Sequence, residues 1–261
     1  MALGYKVDNI FTCIRIGFFF MDHDLIMRNL DRAEEMIEMG ADYDKRNRFQ
    51  IYKGFYNLAI RDFKSATNNF LGVVSTFTCT ELMDYTTFIR YTVYAAIFTL
   101  PRRELEEKVI KAPDVLEVLY RAPDVKQYLF SLYQCEYAKF FKSLADVEEV
   151  FRKDYILNPH YRFYVREMRI LAYSQLLASY KSLTLSYMAE QFEVTPEFIE
   201  NELSRFIADG KIFGKIDKAK GIIIVNKDAM AKSELFKDVV RQGDLLLNRI
   251  QNLSRFLDNK L

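Results

Sequence analysis

Apolar residues recur at three- and four-residue steps over most of this chain, and strict alternation is confined to one short region. Such a rhythm predicts helices, because residues three and four apart share a helical face. The first hundred residues read as helices in pairs. Ile10–Met21 is a long apolar run interrupted by Arg15. Leu25–Met39 sets Leu30, Ala33 and Ile37 on one face, and Gly40 ends it. Arg48–Ile60 and Phe63–Val74 form a further pair around the joint Arg61-Asp62.

In that pair Gly54, Ala66 and Phe70 stand at fixed offsets, 12 and 16 residues after the glycine. Small residues let two antiparallel helices approach closely, and a large ring fills the gap to the next pair. Tetratricopeptide-like repeats use this spacing. Any helical hairpin can also produce it, so the spacing predicts a hairpin and is compatible with a repeat. Pro101, Pro113 and Pro123 punctuate the middle, where Leu105–Lys111, Val115–Tyr120 and Val125–Phe141 read as successive helices. The twice-repeated Ala-Pro-Asp at 112–114 and 122–124 reads as two helix entries, proline in the first turn and aspartate favoured by the dipole. Asn158-Pro159 reads as an N-cap and first helical residue, opening a helix that runs to about Tyr180.

After Tyr180 the pattern changes. Ser182–Leu185 is a short extended piece and Ser186–Phe192 a short helix. Thr195 caps a helix beginning at Pro196 and continuing through Ile199, Leu203, Phe206 and Ile207 until Gly210. Two β runs follow, Lys211–Asp217 with period-2 alternation and the apolar Gly221–Asn226, joined by Lys218-Ala219-Lys220. Strand, helix, turn, helix, strand, wing, strand is the order of a winged helix-turn-helix. Ile222, Ile223, Ile224 and Val225 are expected to form an edge of this small sheet, either covered by a neighbouring chain or left open to pairing.

Ser233–Leu261 reads as one long helix. Phe236, Val239, Gly243, Leu246, Ile250, Leu253 and Leu257 step by alternating threes and fours, a heptad seam, with most charges lying off it. Such a stripe is narrower than the face a globular core demands. Partner helices are therefore the favoured occupant, with packing against its own domain the alternative.

Composition agrees with long helices. Gly and Pro number only 9 and 5 in 261 residues, against about 30 in an average chain of that length. Half the residues are hydrophobic, and 22 Phe and 17 Tyr supply large packing surfaces in the absence of Trp. Cys13, Cys79 and Cys135 are scattered, as in a reduced compartment, with no paired motif. His23 and His160 have no ligand-spaced neighbours, so no zinc site is expected. The run Ile10–Met21 falls short of the ~20 apolar residues that cross a bilayer, and nothing around it resembles a secretory signal.

Lys plus Arg number 37 and Asp plus Glu 36, a net charge of +1 that excludes capture of a polyanion by bulk charge. A winged helix invites a DNA-binding reading, since its second helix commonly enters the major groove. Here that helix carries Glu197, Glu200, Glu202 and Asp209 against Arg205 alone, the wrong sign for approaching phosphates. Lys211, Lys215, Lys218 and Lys220 on the wing are the only compensation. No phosphate loop, nucleophile elbow, metalloprotease motif or catalytic carboxylate pair is present. Isolated acids such as Asp84 and Glu167 read as solvated or ion-paired, so no enzymatic activity and no cofactor are expected. Arg162, Arg166 and Arg169 share one helical face, which reads as a solvated stripe or, alternatively, a dock for an acidic chain.

Three stretches carry a specific resemblance: RFYVREMRILAYSQLLASY at 162–180, YKSLTLSYMAEQFEVTPEFIENELSRFIADGKIFGKID at 180–217 and GDLLLNRIQNLSRF at 243–256. VSTFT at 74–78, ELMDY at 81–85, EKVIK at 107–111 and QYLFSLY at 127–133 extend it over nearly the whole chain. These segments resemble the PCI subunits of the proteasome regulatory-particle lid. The resemblance implies a mainly α fold: tetratricopeptide-like repeats at about 1–150, the end of a PCI helical bundle with its winged helix at about 151–229, and an assembly helix at about 230–261. It implies a non-catalytic scaffold in the cytoplasm and nucleus. The implied partners are other PCI subunits, the deubiquitinase-containing MPN pair and the small acidic disordered lid subunit. Members of that family carry a further N-terminal helical region, which a chain opening at Met1-Ala2-Leu3 is read as lacking. PCI subunits of the COP9 signalosome are the alternative, with Arg166–Ser179 and Leu203–Gly210 closer to the proteasome pattern. A winged-helix nucleic-acid-binding module is a more distant one.

Overall fold

The computed structural model describes residues 3–40 and 42–258, which form helices and one small sheet. Two compact units divide the chain, Met1–Met168 and Arg169–Leu261. Helices α1 (Leu3–Phe20), α2 (His23–Glu38), α3 (Tyr43–Ala59), α4 (Phe63–Leu71) and α5 (Tyr85–Thr99) pack in sequence order in the first unit. Their starts follow from local chemistry. The side chains of Asp22, Asp62 and Asp84 accept the amides of Leu25, Ser65 and Thr87, satisfying donors that a first turn leaves open.

The Gly54 spacing has a direct structural meaning. A Cβ on Gly54 would lie 2.5 Å from Cε1 of Phe70, so only glycine lets α3 and α4 close on the ring. Phe70 is fully buried and stands edge-on to Phe88, with centroids 5.2 Å apart. A polar cluster ties α1 and α3 to the loop before α5. Arg48 donates to Glu81 from Nε at 2.9 Å and also pairs with Asp8, while Tyr52 donates to Glu81 at 3.3 Å.

The middle is built from α6 (Arg102–Leu105), a π-turn at Glu106–Ile110, α7 (Pro113–Arg121), α8 (Pro123–Tyr133) and α9 (Tyr137–Lys153). Pro113 and Pro123 do open α7 and α8. The single helix expected over Val125–Phe141 is in fact two. Cys135 adopts a left-handed φ of +63°, and the amides of Cys135 and Glu136 turn back to Leu132 O and Ser131 O at 3.2 and 2.8 Å. The break lets α9 fold onto α8, where Tyr128 and Phe140 stack at 5.3 Å. Asn158-Pro159 does not cap an α-helix. Residues Asn158–His160 form a 3₁₀ turn ahead of α10 (Tyr161–Ala178), and the preceding Asp154 carboxylate accepts the amides of Ile156 and Leu157 at 2.8 and 2.9 Å.

The second unit holds β1 (Ser182–Thr184), α11 (Leu185–Phe192), α12 (Pro196–Ala208), β2 (Gly214–Asp217), β3 (Ile222–Val225) and α13 (Lys227–Asp258). Thr184 and Thr195 cap α11 and α12 through the amides of Tyr187 and Phe198. Ile199, Leu203 and Ile223, all with no exposed surface, form its core with Phe192 and Phe206, on which Tyr173 packs. The first β run is shorter than expected. The amides of Lys211 and Ile212 close the end of α12 on Phe206 O at 2.9 and 3.2 Å, and so are unavailable to a sheet.

Strand order is β1-β3-β2, both pairings antiparallel. This corrects the placement of Ile222–Val225 at an edge. Leu183 and Ile216 pair with Ile223 from opposite sides, so β3 is central and its backbone is already engaged on both flanks. The edges belong to β1 and β2.

Candidate protein-interaction surface

Helix α13 begins directly after β3, six residues before the expected Ser233, and continues for 32 residues. Good helix formers dominate its sequence, and its only glycine is Gly243. Its large apolar side chains, among the described residues, are not covered. Phe236 is 70% exposed, Ile250 60%, and Val239, Leu246 and Leu253 are equally open. Leu257, the last seam position, lies outside the residues whose side chains are described. Five further large side chains are exposed, Leu235, Val240, Leu245, Leu247 and Phe256, and four of them widen the face. With Phe236 as heptad position a, Val240 and Leu247 fall at e and Leu235 and Phe256 at g, while Leu245 falls at c, off that face. The a/d seam by itself does not include these five. A full helical wheel shows four of them beside the seam, since a, d, e and g together cover about half the circumference. Lys237, Asp238, Arg241, Asp244 and Arg255 occupy b, c and f, on the other side.

Ile222 and Ile224 share the outer face of the sheet with Ser182, Thr184, Lys215 and Asp217, whereas Ile223 points into the core. Ile224 is 47% exposed. The four residues expected to act together are thus split between two faces, as the two-residue period of a strand requires.

The three arginines of α10 also part. In the second unit Arg169 donates to Glu202 Oε1 at 2.6 Å, and Tyr173 holds the other carboxylate oxygen at 2.7 Å. That pair is largely sheltered, so Arg169 supports α12 against α10. In the first unit Arg162 and Arg166 are exposed. Two aromatic rings are each flanked by two guanidinium groups. Tyr161 lies under Arg152 at 5.1 Å and Arg162 at 5.6 Å, and Phe163 under Arg61 at 4.9 Å and Arg166 at 5.6 Å. Arg166 also pairs with Glu167, and Arg152 with Glu148. Arg61 and Arg152 come from distant sequence, and no local spacing announced them. Rings that hold guanidinium planes in place lower the cost of ordering them against a carboxylate.

His160 belongs to this neighbourhood as a structural residue. Arg61 Nε can only donate, at 3.2 Å, so Nδ1 accepts and Nε2 carries the proton that it donates to Ala59 O at 2.8 Å. Burial, and then the Arg61 charge, hold its pKa below the ordinary value. Cys79 is buried and its thiol is pushed up to about 12 by burial and by the charge of Glu81. Neither group is poised for chemistry. Among the described residues no three His, Cys, Asp or Glu gather as a metal would need, and no helix is long and apolar enough to cross a membrane.

Comparison with known proteins bears on this apolar helix directly. A sequence model described as the 26S proteasome regulatory subunit RPN7/PSMD6 C-terminal helix matches residues 237–256, inside α13. The model of 26S proteasome subunit RPN7 matches residues 1–108, and the PCI domain matches 144–227. The 26S proteasome non-ATPase regulatory subunit 6 homolog of Arabidopsis thaliana is 45% identical over 258 residues, covering 99% of this chain and 66% of the relative. The subunit of the same name in Dictyostelium discoideum is also 45% identical, with 67% of its length covered, and RPN7 of Saccharomyces cerevisiae is 36% identical with 59% covered.

The chain belongs to the RPN7/PSMD6 family.

It spans about two thirds of the length of the curated relatives first matched. In this RPN7-family chain the PCI match opens within α9 and closes at the first residue of α13, so it takes in the whole winged helix. The expected mainly α architecture, with helical pairs, a PCI winged helix and a long C-terminal helix, is the one observed. The family's C-terminal helix contains Val239, Leu246, Ile250 and Leu253 and stops short of Phe236 by one residue.

Proposed function

We propose that this chain is a non-catalytic scaffold subunit of the proteasome regulatory-particle lid, serving lid assembly and thereby ubiquitin-dependent degradation in cytoplasm and nucleus. The observation that carries the proposal is α13, which leaves ten large apolar side chains between Leu235 and Phe256 exposed. A surface of that kind is stable in water only when other chains cover it. Each large side chain fully buried contributes roughly 1.5–3 kcal/mol before the costs of ordering and association. Phe236, Val239, Leu246, Ile250, Leu253 and Leu257 form the seam against partner helices, those of other PCI subunits and of the deubiquitinase-containing MPN pair. The free edges β1 and β2 and the outer face around Ile224 suit side-by-side contact with a neighbouring PCI winged helix. Arg162 and Arg166, held with Arg61 and Arg152 on two rings, suit the small acidic disordered lid subunit. In this reading residues 1–150 form the repeat region, 151–229 the bundle end with its winged helix, and 230–261 the assembly helix.

Ile250→Asp or Leu253→Asp tests the proposal in lid purified from cells. The full chain keeps its thermal transition, because both positions are solvent-exposed, and incorporation into the lid is lost. Incorporation at the wild-type level refutes the scaffold role of α13. A variant that no longer folds shows instead that the helix packs on its own domain.

A further inference from the structure

Gly243 is the anomaly of α13. It lies in the middle of a 32-residue helix, at a seam position, with helical backbone. A glycine there costs about 1 kcal/mol relative to alanine. Nothing local requires it. Its φ is not left-handed, and a Cβ built on it meets no atom within 4 Å. This sets it apart from Gly54, where a ring of the same chain occupies the Cβ space. The four seam neighbours with described side chains, Phe236, Val239, Leu246 and Ile250, are all large and exposed, so the seam has a dip one residue wide.

We infer that Gly243 is the point of closest approach of a partner α-helix, which inserts a large apolar side chain into the dip between Val239 and Leu246. The inference rests on the proposal that α13 is covered by other chains, and it specifies the occupant. A heptad seam fits only a second helix of matching period, because each knob needs a hole made by four facing residues. The flanks define that helix's chemistry. Positions e and g carry Val240, Leu247, Leu235 and Phe256 together with the polar Gln242 and Ser254 and one charge, Arg249, so the partner offers mainly apolar flanks, a polar group facing Gln242 and an acid opposite Arg249. At Gly243 the absent Cβ lets the two axes come closer than the usual 8–10 Å of helix pairs. A glycine in this position also fixes register, since a large knob fits at one level of the seam only.

The test is a size series at one position in the full chain. Gly243→Ala, Gly243→Leu and the reference Ile250→Asp are each titrated into recombinant lid assembled from the remaining subunits, with incorporation read by native mass spectrometry. Gly243→Ala is expected to weaken incorporation at least tenfold and Gly243→Leu at least a hundredfold. The helicity of the free chain is expected to be unchanged or raised in both. Wild-type incorporation of either glycine variant, with Ile250→Asp still blocked, overturns the close approach and leaves the assembly role standing. Equal losses for alanine and leucine also overturn it, because they indicate a need for helix flexibility rather than space. Normal incorporation of Ile250→Asp brings down the assembly role itself.

Discussion

Replacing Gly54 by alanine sets two effects of opposite sign against each other. Within α3, alanine is favoured over glycine by about 1 kcal/mol of helix propensity. Against this, the new Cβ lies 2.5 Å from Cε1, 2.8 Å from Cδ1 and 3.2 Å from Cζ of Phe70. Optimal carbon contacts lie at about 3.5–4.0 Å. Phe70 has no room to retreat, since it is fully buried and packed edge-on to Phe88 at 5.2 Å. Overpacking of this kind costs about 1–3 kcal/mol, which leaves a net loss of about 1 kcal/mol. In a chain of this size each kcal/mol lowers Tm by about 2–4 °C. Phe70→Leu on its own opens a cavity and destabilises. Combined with Gly54→Ala, the smaller side chain vacates the space the methyl needs, so the double variant is more stable than the sum by at least about 1 kcal/mol. Thermal denaturation followed by far-ultraviolet circular dichroism completes the cycle. A rise in Tm for Gly54→Ala, with Phe70→Leu strictly additive, would show that the ring yields freely and that glycine is not what brings α3 and α4 together.

Two further expectations concern groups buried in the first unit. The folded state holds the pKa of His160 below 6.5, so as pH falls the unfolded chain takes up its proton first. The associated stability is therefore present above about pH 6.5 and drains away below it. His160→Gln should flatten the slope of Tm against pH between about 7 and 5, and an unchanged slope would exonerate the histidine. Cys79 is sheltered and its thiol sits near 12, whereas Cys13 and Cys135 are exposed. Alkylation of the native chain should modify Cys13 and Cys135 and reach Cys79 only after denaturation, and rapid native labelling of Cys79 would contradict its burial.

Much of the architecture is legible in the sequence because it rests on local chemistry. Capping aspartates, threonines before first-turn positions, prolines at helix entries and the 3.6-residue rhythm act over one or two turns, and each can be read in place. The Gly54, Ala66 and Phe70 offsets went further and anticipated a tertiary contact, because a missing Cβ leaves a mark in the sequence. The seam of α13 was visible for the same reason: a repeat of seven is a property of the string.

Other features became definite only when distant segments met. Nothing between Val125 and Phe141 marks a break, since no glycine or proline stands there, and the turn at Cys135 arises from the packing of α9 on α8. Hydrogen bonds across the sheet decide which strand is central, so Ile222–Val225 read as an edge and proved to be the middle. Arg169 left its expected stripe because Glu202 and Tyr173, on elements remote in sequence or one turn away, supply it with a sheltered partner. Sequence alone thus determined the elements and the long amphipathic C-terminal helix, because short-range periodicity and capping carry that information. Only the tertiary structure decided strand order, arginine partners and the exposure of α13, because each depends on which groups compete for the same space and the same hydrogen bonds.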